Sequence, residues 1–231
     1  MGMGMGMGTT IMTFLPRPEP APADLLALQQ MFSPAFPVGG FAWSQGLEAA
    51  ISAGAVRDGA GLAGWVAAVL ARGSGRADAI VLAHARRPGA DVAALDDLAR
   101  ALAPSAERLA ETVETGRAFA AAAGAMTGQA LPPLALPVVA GLATRPLRVG
   151  TPLVLGFWLH ALAAQLVSAA VRFVPLGQTE GQRVLAGLAP LIGRVAAEAA
   201  EAPLDAIASF TPGADLAGID HETLEVRIFR S

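Results

Sequence analysis

The stretch between Arg148 and Arg172 restricts the possible folds of this chain more than any other segment. It holds no charged residue and contains the run Leu153-Val-Leu-Gly-Phe-Trp-Leu-His-Ala-Leu-Ala-Ala-Gln-Leu-Val. At about 1.5 Å per residue, a helix of this length is long enough to cross a bilayer. However, His160 and Gln165 are residues that a lipid-facing helix rarely carries. A helix that is apolar on all sides is also typical of the buried centre of a helical domain, which is the interpretation we favour.

Helical periodicity extends over most of the remaining chain, and no alternating strand pattern precedes the last dozen residues. We therefore predict an all-α protein, a single globular domain of about nine or ten helices around the central apolar helix. The domain is predicted over residues 23–231, with a C-terminal partner-binding tail of about 211–231. Residues 1–22, a Met-Gly repeat followed by a proline-rich arm, are predicted to be disordered or extended.

Local signals predict several helix ends. Asp24 and Asp58 are predicted to cap the helices that follow them. Thr151-Pro152 is predicted to open the apolar helix, because proline is well accommodated at the first helical position. A long helix is predicted from Gln178 to Glu201.

The segment Ser33–Ala50 is the least generic part of the chain. Its two prolines disfavour helical backbone at the residues before them, and Gly39-Gly40 permits backbone angles that are closed to other residues. Ser44 is predicted to cap a short helix, with Glu48 in its first turn. The segment therefore predicts a stiff apolar bend that leads into a helix.

Composition excludes several kinds of chemistry. The absence of cysteine excludes disulfides, thiolate catalysis and cysteine-ligated zinc, and it fits a reducing cytoplasm. The absence of lysine excludes an ordinary Walker phosphate loop, and the absence of tyrosine excludes a phenol as acid, base or nucleophile. All sixteen basic residues are arginine and form no basic run, so nothing indicates nucleic acid as a partner.

The polar residues of the chain suggest no active site. The three histidines lie far apart in sequence, and for His160 we expect a hydrogen-bonded place in the core. Glu107, Glu111 and Glu114 are spaced three and four residues apart near arginines, which is typical of a solvated helix face. These patterns favour a binding or scaffolding protein.

Two alternatives remain open from the residues alone. Ala42-Trp-Ser-Gln-Gly resembles a nucleophile elbow with alanine in the first glycine position, which would make the protein a helical hydrolase that uses Ser44. That elbow needs a preceding strand, and two prolines precede it here, so a helix cap is favoured. The second alternative is a membrane-embedded helical protein built on the apolar stretch.

The last residues give conflicting signals. Leu224, Val226 and Ile228 alternate with charged residues, which indicates a strand. Asp220 followed by Glu222 indicates the start of a helix. We predict that a tail with such conflicting local preferences becomes ordered only against a partner.

Three blocks of the sequence, in the expected order, resemble the urease accessory protein F (UreF) family. The resemblance spans about Leu25 to Ser231, although residues 73–130 match only in helical character. Three blocks in order are more specific than any single motif. The blocks are Ser33-Pro-Ala-Phe-Pro-Val-Gly-Gly-Phe41 with Ser44-Gln-Gly-Leu-Glu48, then Leu166–Arg183, and finally His221-Glu-Thr with Arg227-Ile-Phe-Arg-Ser231.

The resemblance implies a urease maturation factor, a cytoplasmic all-α homodimer without catalysis of its own. Such proteins bridge accessory protein D (called H in some systems) and the nucleotide-binding accessory protein G. The assembly docks on apo-urease and supports GTP-dependent delivery of nickel. In the family the C-terminal segment engages the D/H partner, and the G dimer is recruited across the F dimer. No cofactor of this chain is implied, because the complex handles the nickel.

Carrying the family motifs over position by position identifies a set of candidate partner-binding residues. For each of them the alternative is a structural role, and burial of Gln45 and Glu48 would favour that alternative. The candidates are Phe41, Ser44, Gln45, Glu48, Arg172, Gln178, Gln182, His221, Glu222, Arg227 and Arg230.

The sequence departs from the family pattern in two places. Ala42-Trp43 stands where the family has Ser-Tyr, and Ala135-Leu136-Pro137 stands where it has a block of histidine, an aromatic residue and proline. The second departure removes a histidine. We therefore expect no role in nickel binding for that block in this chain.

Overall fold

The computed structural model of the protein describes residues 19–173 and 176–231. Most of the predicted N-terminal arm, residues 1–18, lies outside the described residues. The described part contains α-helices, two short 3₁₀-helices (Gly40–Ala42 and Leu204–Ala206) and no strand, which confirms the all-α prediction. The helices are α1 (Pro22–Met31), α2 (Leu47–Ser52), α3 (Gly59–Arg72), α4 (Ser74–Ala85), α5 (Val92–Ala101), α6 (Ala106–Thr127), α7 (Leu136–Thr144), α8 (Thr151–Val171), α9 (Gln178–Glu201) and α10 (Pro212–His221).

The apolar stretch forms α8, which lies at the centre of the fold. It packs against α1, α2, α3, α4 and α9. Leu155, Leu159 and Leu166 are fully buried, and together they join the inner faces of these neighbours into one core. Within the described residues, α8 is the one helix long and apolar enough to cross a membrane. The core helix of a helical domain satisfies the same criterion, and the packing of α8 explains its composition.

Several predicted helix ends agree with the structure. The Asp58 carboxylate accepts a hydrogen bond from the Gly61 N–H at 2.8 Å and caps α3. Helix α8 begins at Thr151 as the sequence predicts, and α9 begins and ends as predicted. The predicted cap at Asp24 is wrong, because α1 begins two residues earlier at Pro22. The Asp24 side chain instead accepts from the backbone N–H of Arg148.

The position of the bend after α1 is set by aromatic packing. Phe32 lies 5.8 Å from the ring of Trp158 on α8 and 6.3 Å from Phe119 on α6, and Phe36 lies 5.3 Å from Phe119. All four rings are buried. Offset and edge-to-face pairs of this kind add to the stabilisation from area burial. The segment that follows is therefore held against α6 and α8.

The bend itself uses left-handed backbone at three positions. Gly39 has φ of 74°, Gln45 has φ of 52° and Gly46 has φ of 76°. Helix α2 consequently begins at Leu47, and the predicted N-cap at Ser44 is wrong by two residues. The Ser44 hydroxyl nevertheless accepts the N–H of Glu48 at 3.2 Å, so it satisfies a donor of the first turn.

The prediction for His160 is also wrong. Its side chain is exposed, although it belongs to the central helix. Helix α8 has neighbours on most of its circumference, but His160 and Leu153 lie on the strip that faces outward. The polar residue therefore marks the open side of α8.

Two helical glycines provide a direct test of the packing. A Cβ added at Gly141 on α7 would lie 2.5 Å from the Ala85 Cβ and 2.8 Å from the Leu82 carbonyl oxygen, whereas one at Gly187 on α9 would meet nothing within 4 Å. We expect Gly141→Ala to lower the free energy of unfolding by about 1–3 kcal/mol through overpacking. Gly187→Ala should raise it by up to about 1 kcal/mol through helix propensity. Urea denaturation measures both, and equal effects would contradict the close contact of α4 and α7.

Candidate partner-docking site

The last ten residues lie against the segment that contains the first family-like block. We call residues 222–231 the terminal segment. We call the surface that receives it the dock, which consists of residues 42–48 together with Glu107 and Glu114 of α6. The dock and the terminal segment join parts of the chain that are more than a hundred residues apart in sequence.

His221, the last residue of α10, lies between two carboxylates. Its Nε2 is 2.9 Å from Oε2 of Glu48, and its Nδ1 is 2.7 Å from Oε2 of Glu107. The imidazole is fully buried and Glu48 is 2% exposed. The ring thereby ties the end of α10 to both α2 and α6.

Glu48 also binds the backbone of the terminal segment. Its Oε1 accepts the N–H of Ile228 at 2.8 Å, and its Oε2 accepts the N–H of Phe229 at 2.9 Å. Burial alone would raise the pKa of Glu48, but the hydrogen bonds from His221, Ile228 and Phe229 outweigh it and lower the pKa below 4.5. The carboxylate is thus held in its charged form by the segment that it binds.

Arg230 anchors the end of the terminal segment. Its guanidinium makes two hydrogen bonds with the Glu114 carboxylate, at 2.6 and 2.9 Å, and it stacks over the Trp43 ring at 4.3 Å. Its backbone N–H donates to the Ala42 carbonyl at 2.8 Å. Trp43 therefore provides an aromatic face for this cation.

The neighbouring Phe229 is buried beside Phe173 and Arg172. Its ring centroid lies 5.9 Å from that of Phe173, and the Arg172 guanidinium lies 5.6 Å from the ring. The side chain is 4% exposed, which makes it the apolar anchor of a segment that is otherwise largely exposed. Arg172 also donates to the Phe41 carbonyl at 3.3 Å and so links the second block to the first.

The Ser-Gln-Gly stretch receives the end of the segment through its backbone. The Ser44 N–H donates to the Ser231 carbonyl oxygen at 2.6 Å, the Ser44 hydroxyl bonds to the same oxygen, and the Gln45 N–H donates to the Ser231 hydroxyl at 3.2 Å. Ser44 is fully buried. Its hydroxyl is engaged by Ser231 and by the N–H of Glu48, which favours a structural role over a nucleophilic one.

Gly46 allows α10 to approach the dock. A Cβ at this position would lie 2.5 Å from the backbone nitrogen of Gly218 and 2.8 Å from the carbonyl carbon of Ala217. Its φ of 76° also lies in the region that favours glycine. Both the turn and the contact between α2 and α10 therefore require glycine here.

The solvated face predicted for α6 is wrong for Glu107 and Glu111, which are largely buried, whereas Glu114 is exposed. Glu107 binds His221 and also Arg227, whose Nη1 lies 2.6 Å from Oε1, while Glu114 binds Arg230. Near the start of α6, Glu222 accepts the N–H of Ala106 at 2.7 Å. The face is polar because it receives cationic residues of the terminal segment.

Glu111, the middle glutamate, turns inward to a buried charged cluster. Arg108 bonds to Asp78 at 2.6 Å and lies 3.4 Å from Glu111. Gln45 donates its amide to Oε1 of Glu111 at 3.2 Å, and Gln165 donates to the same oxygen at 3.3 Å. Burial raises the pKa of Asp78, while the charge of Arg108 acts in the opposite direction. The left-handed backbone at Gln45 directs its amide into this cluster.

A cavity of about 450 Å³ adjoins the dock. Phe41, Gln45, Arg172, Gln178 and Gln182 contribute to its lining, together with apolar residues of α8. Gln45 is partly buried, whereas Phe41, Arg172, Gln178 and Gln182 are exposed. The candidate residues of the second block and those of the first thus line the same depression.

The structure divides the candidate residues into two adjoining groups. Ser44, Glu48, His221, Glu222, Arg227 and Arg230 belong to the contact between the terminal segment and the dock, and the remaining five line the cavity. Burial of the Ser44, Glu48 and His221 side chains favours a structural role for these three. Partner binding by the candidates stays a prediction.

Sequence reasoning did not assign Trp43, Gly46, Glu107 and Glu114 to this contact, although all of them touch the terminal segment or α10. One signal was available. The two outer glutamates of α6 are matched in number by the two arginines at 227 and 230, near the end of the chain. Only their approach in space pairs them.

Nothing in the described ranges 19–173 and 176–231 brings three histidine or acidic side chains together as a metal site. Glu48 and Glu107 approach opposite nitrogens of the His221 ring, so their oxygens do not converge on one point. The geometry binds an imidazole between two carboxylates.

Comparison with known proteins adds an independent finding. The sequence model of the family described as UreF matches residues 56–189. A protein of Cereibacter sphaeroides named urease accessory protein UreF is 63% identical over 209 residues, which cover 90% of this chain and 99% of that protein. Proteins of the same name from Paracoccus denitrificans and Rhodopseudomonas palustris are 54% and 44% identical, covering 89% and 90% of this chain and 95% and 94% of their own lengths.

The lowered pKa of Glu48 predicts that part of the free energy of unfolding is lost in acid. Because the folded-state pKa lies below 4.5, the contribution is present above that pH and is lost as pH falls through the lower folded value. In Glu48→Gln this part of the pH dependence should disappear, and stability at neutral pH should fall. Urea denaturation between about pH 7 and pH 3 tests this. Glu198→Gln, an exposed change on α9, is the control, and identical acid profiles for the two variants would refute the assignment.

Substitutions at two glycines with left-handed backbone distinguish the cost of backbone strain from the cost of a clash with α10. Gly39 and Gly46 have nearly the same φ, but a Cβ at Gly39 meets nothing within 4 Å. We expect Gly39→Ala and Gly46→Ala to share a backbone penalty of about 1–2 kcal/mol. Gly46→Ala should in addition loosen α10 and the terminal segment. Faster trypsin cleavage after Arg227 and Arg230 in Gly46→Ala alone is the expected result, and equal cleavage would contradict the close approach.

Proposed function

This chain belongs to the UreF family, and we propose that it accordingly serves urease maturation as a non-catalytic adaptor. In this role it bridges accessory protein D (H in some systems) and the nucleotide-binding accessory protein G, so that nickel is inserted into apo-urease in a GTP-dependent step. Nickel is the cargo of the assembly and not a cofactor of this chain. The adaptor acts as a homodimer in the cytoplasm.

The observation that carries the proposal is the docked terminal segment. It unites the first and third family-like blocks through Glu48 and His221. While its inner side binds the dock, its outer side presents Val226 at 87% exposure and Ile228 at 69%. Exposed apolar residues with charged neighbours are typical of protein–protein contact sites. The terminal segment is thus suited to present a surface to the D/H partner.

A second exposed surface supports an adaptor rather than a single-partner protein. Phe41 is 70% exposed beside the cavity that Arg172, Gln178 and Gln182 also line. Its backbone carbonyl is held by Arg172, so the ring projects from a fixed position. In the proposed role, these cavity-lining residues provide a contact surface of their own beside the terminal segment.

The buried polar groups support a role without catalysis. The Ser44 hydroxyl is occupied by the terminal segment and by the first turn of α2. Both nitrogens of His221 face carboxylates, so this histidine is not available to activate Ser44 as a base. These contacts favour the adaptor over a hydrolase that uses Ser44.

The proposal predicts that the outer side of the terminal segment carries the D/H contact. The double variant Val226→Asp with Ile228→Asp leaves the side chains that bind the dock unchanged, and it should weaken co-purification with the D/H protein at least about tenfold. Removal of residues 220–231 should abolish that contact. Leu26→Asp on α1 makes the same kind of substitution once, at a residue of 70% exposure, and serves as the control. Full-strength binding by the double variant would place the D/H contact elsewhere.

A further inference from the structure

If both ring nitrogens of His221 donate hydrogen bonds, the ring needs two N–H protons, one more than a neutral imidazole carries. A neutral ring has one N–H donor and one acceptor nitrogen, whereas the imidazolium has two donors. Both nitrogens of His221 lie within 2.9 Å of a carboxylate oxygen. If the ring were neutral, one carboxylate would face a nitrogen lone pair of a fully buried ring.

The carboxylates cannot readily supply the missing proton. Glu48 accepts the backbone N–H groups of Ile228 and Phe229, which favour its charged form. Glu107 is paired with the Arg227 guanidinium at 2.6 Å. The second proton therefore belongs on the imidazole ring.

The charges that face the ring come from each element packed around it. Glu48 lies on α2, Glu107 on α6 and Arg227 on the terminal segment. When the His221 ring is an imidazolium, the net charge of the ring, the two glutamates and the arginine is zero, because two positive charges oppose two negative ones. Without the proton the group carries one negative charge, and one of the two buried hydrogen bonds is lost.

We propose that His221 is a protonation-dependent clasp: its imidazolium holds the terminal segment in the dock, and loss of the proton releases the segment. Release is confined to the segment: the buried Phe229 side chain and the Glu48 hydrogen bonds to Ile228 and Phe229 oppose it, whereas the two arginine contacts oppose it only weakly. The guanidinium side chains of Arg227 and Arg230 are 43% and 54% exposed, and exposed ion pairs contribute little. The claim that the clasp regulates binding of the D/H protein rests on the proposed function. The claim that protonation of His221 holds the terminal segment in the dock concerns this chain alone and does not depend on that function.

Hydrogen exchange of residues 222–231 in the full-length protein tests the clasp. Protection is measured between about pH 6 and pH 9, a range that includes pH values at which histidines commonly change charge. A free peptide of residues 222–231 corrects for the intrinsic pH dependence of exchange. We expect protection to fall at least about tenfold as pH rises, the loss expected for a hydrogen bond to a charged group. A constant corrected protection over this range overturns the proposal.

Glu107→Gln distinguishes a proton requirement from ordinary packing. The amide that replaces the carboxylate can donate to the ring, so a neutral His221 can donate to Glu48 and accept from that amide. Overall protection should be lower because Arg227 loses its charged partner, but the step with pH should disappear. His221→Gln should be weakly protected at every pH, whereas His160→Gln, at the exposed histidine of α8, should behave as wild type. A pH step in Glu107→Gln as large as that of wild type overturns the clasp.

The regulatory consequence is tested separately. D/H binding to the full-length chain is measured at the two ends of the pH range, with wild type and Glu107→Gln side by side. If the exchange step is present and D/H binding of wild type and Glu107→Gln changes alike with pH, the clasp stands and its control over the D/H contact is wrong. If the exchange step is absent, the clasp is wrong whatever the D/H protein does.

Discussion

The carboxylate of Glu48 holds the two halves of this site together. It lies in the first turn of a six-residue helix and receives the imidazole of His221 and two consecutive backbone N–H groups of the terminal segment. A buried carboxylate is costly unless several donors satisfy it. Here the donors come from 173 to 181 residues further along the chain. Helix α2 consequently supplies the acceptor, and the end of the chain supplies the hydrogen-bond donors that this acceptor needs.

The residues around Glu48 make this pairing geometrically possible. Phe32 and Phe36 pack the preceding bend against Trp158 and Phe119, so the dock is fixed to the central helix and to α6. Gly46 removes the side chain that would keep α10 away. The Ser-Gln-Gly-Leu-Glu stretch thereby acquires a physical meaning at each polar position: Ser44 binds Ser231, Gln45 binds Glu111, and Glu48 binds His221. A motif found by resemblance is explained by contact with the terminal segment.

Sequence reasoning worked where a property depends on neighbours along the chain, and it did not where the property depends on distant ones. The periods and limits of α8 and α9 follow from apolar spacing and from Pro152 at the first turn. Glu107 and Glu114 carry the local signature of a solvated face, and nothing nearby in sequence reveals that Arg227 and Arg230 approach them. His160 shows the reverse error, because it was placed in the core of an apolar helix although it lies on the one side of that helix that stays open.

The linear sequence was enough to establish the all-α class, most of the helices, the central place of the apolar stretch and the resemblance to a family. These follow from spacing, helix-end chemistry and motif order, all of which are local or linear properties. Three features emerge only from the folded chain: the terminal segment lies in the dock, His221 stands between Glu48 and Glu107, and Gly46 faces α10. The reason is physical: whether a charged side chain is solvated, paired or buried depends on which distant part of the chain excludes water from it.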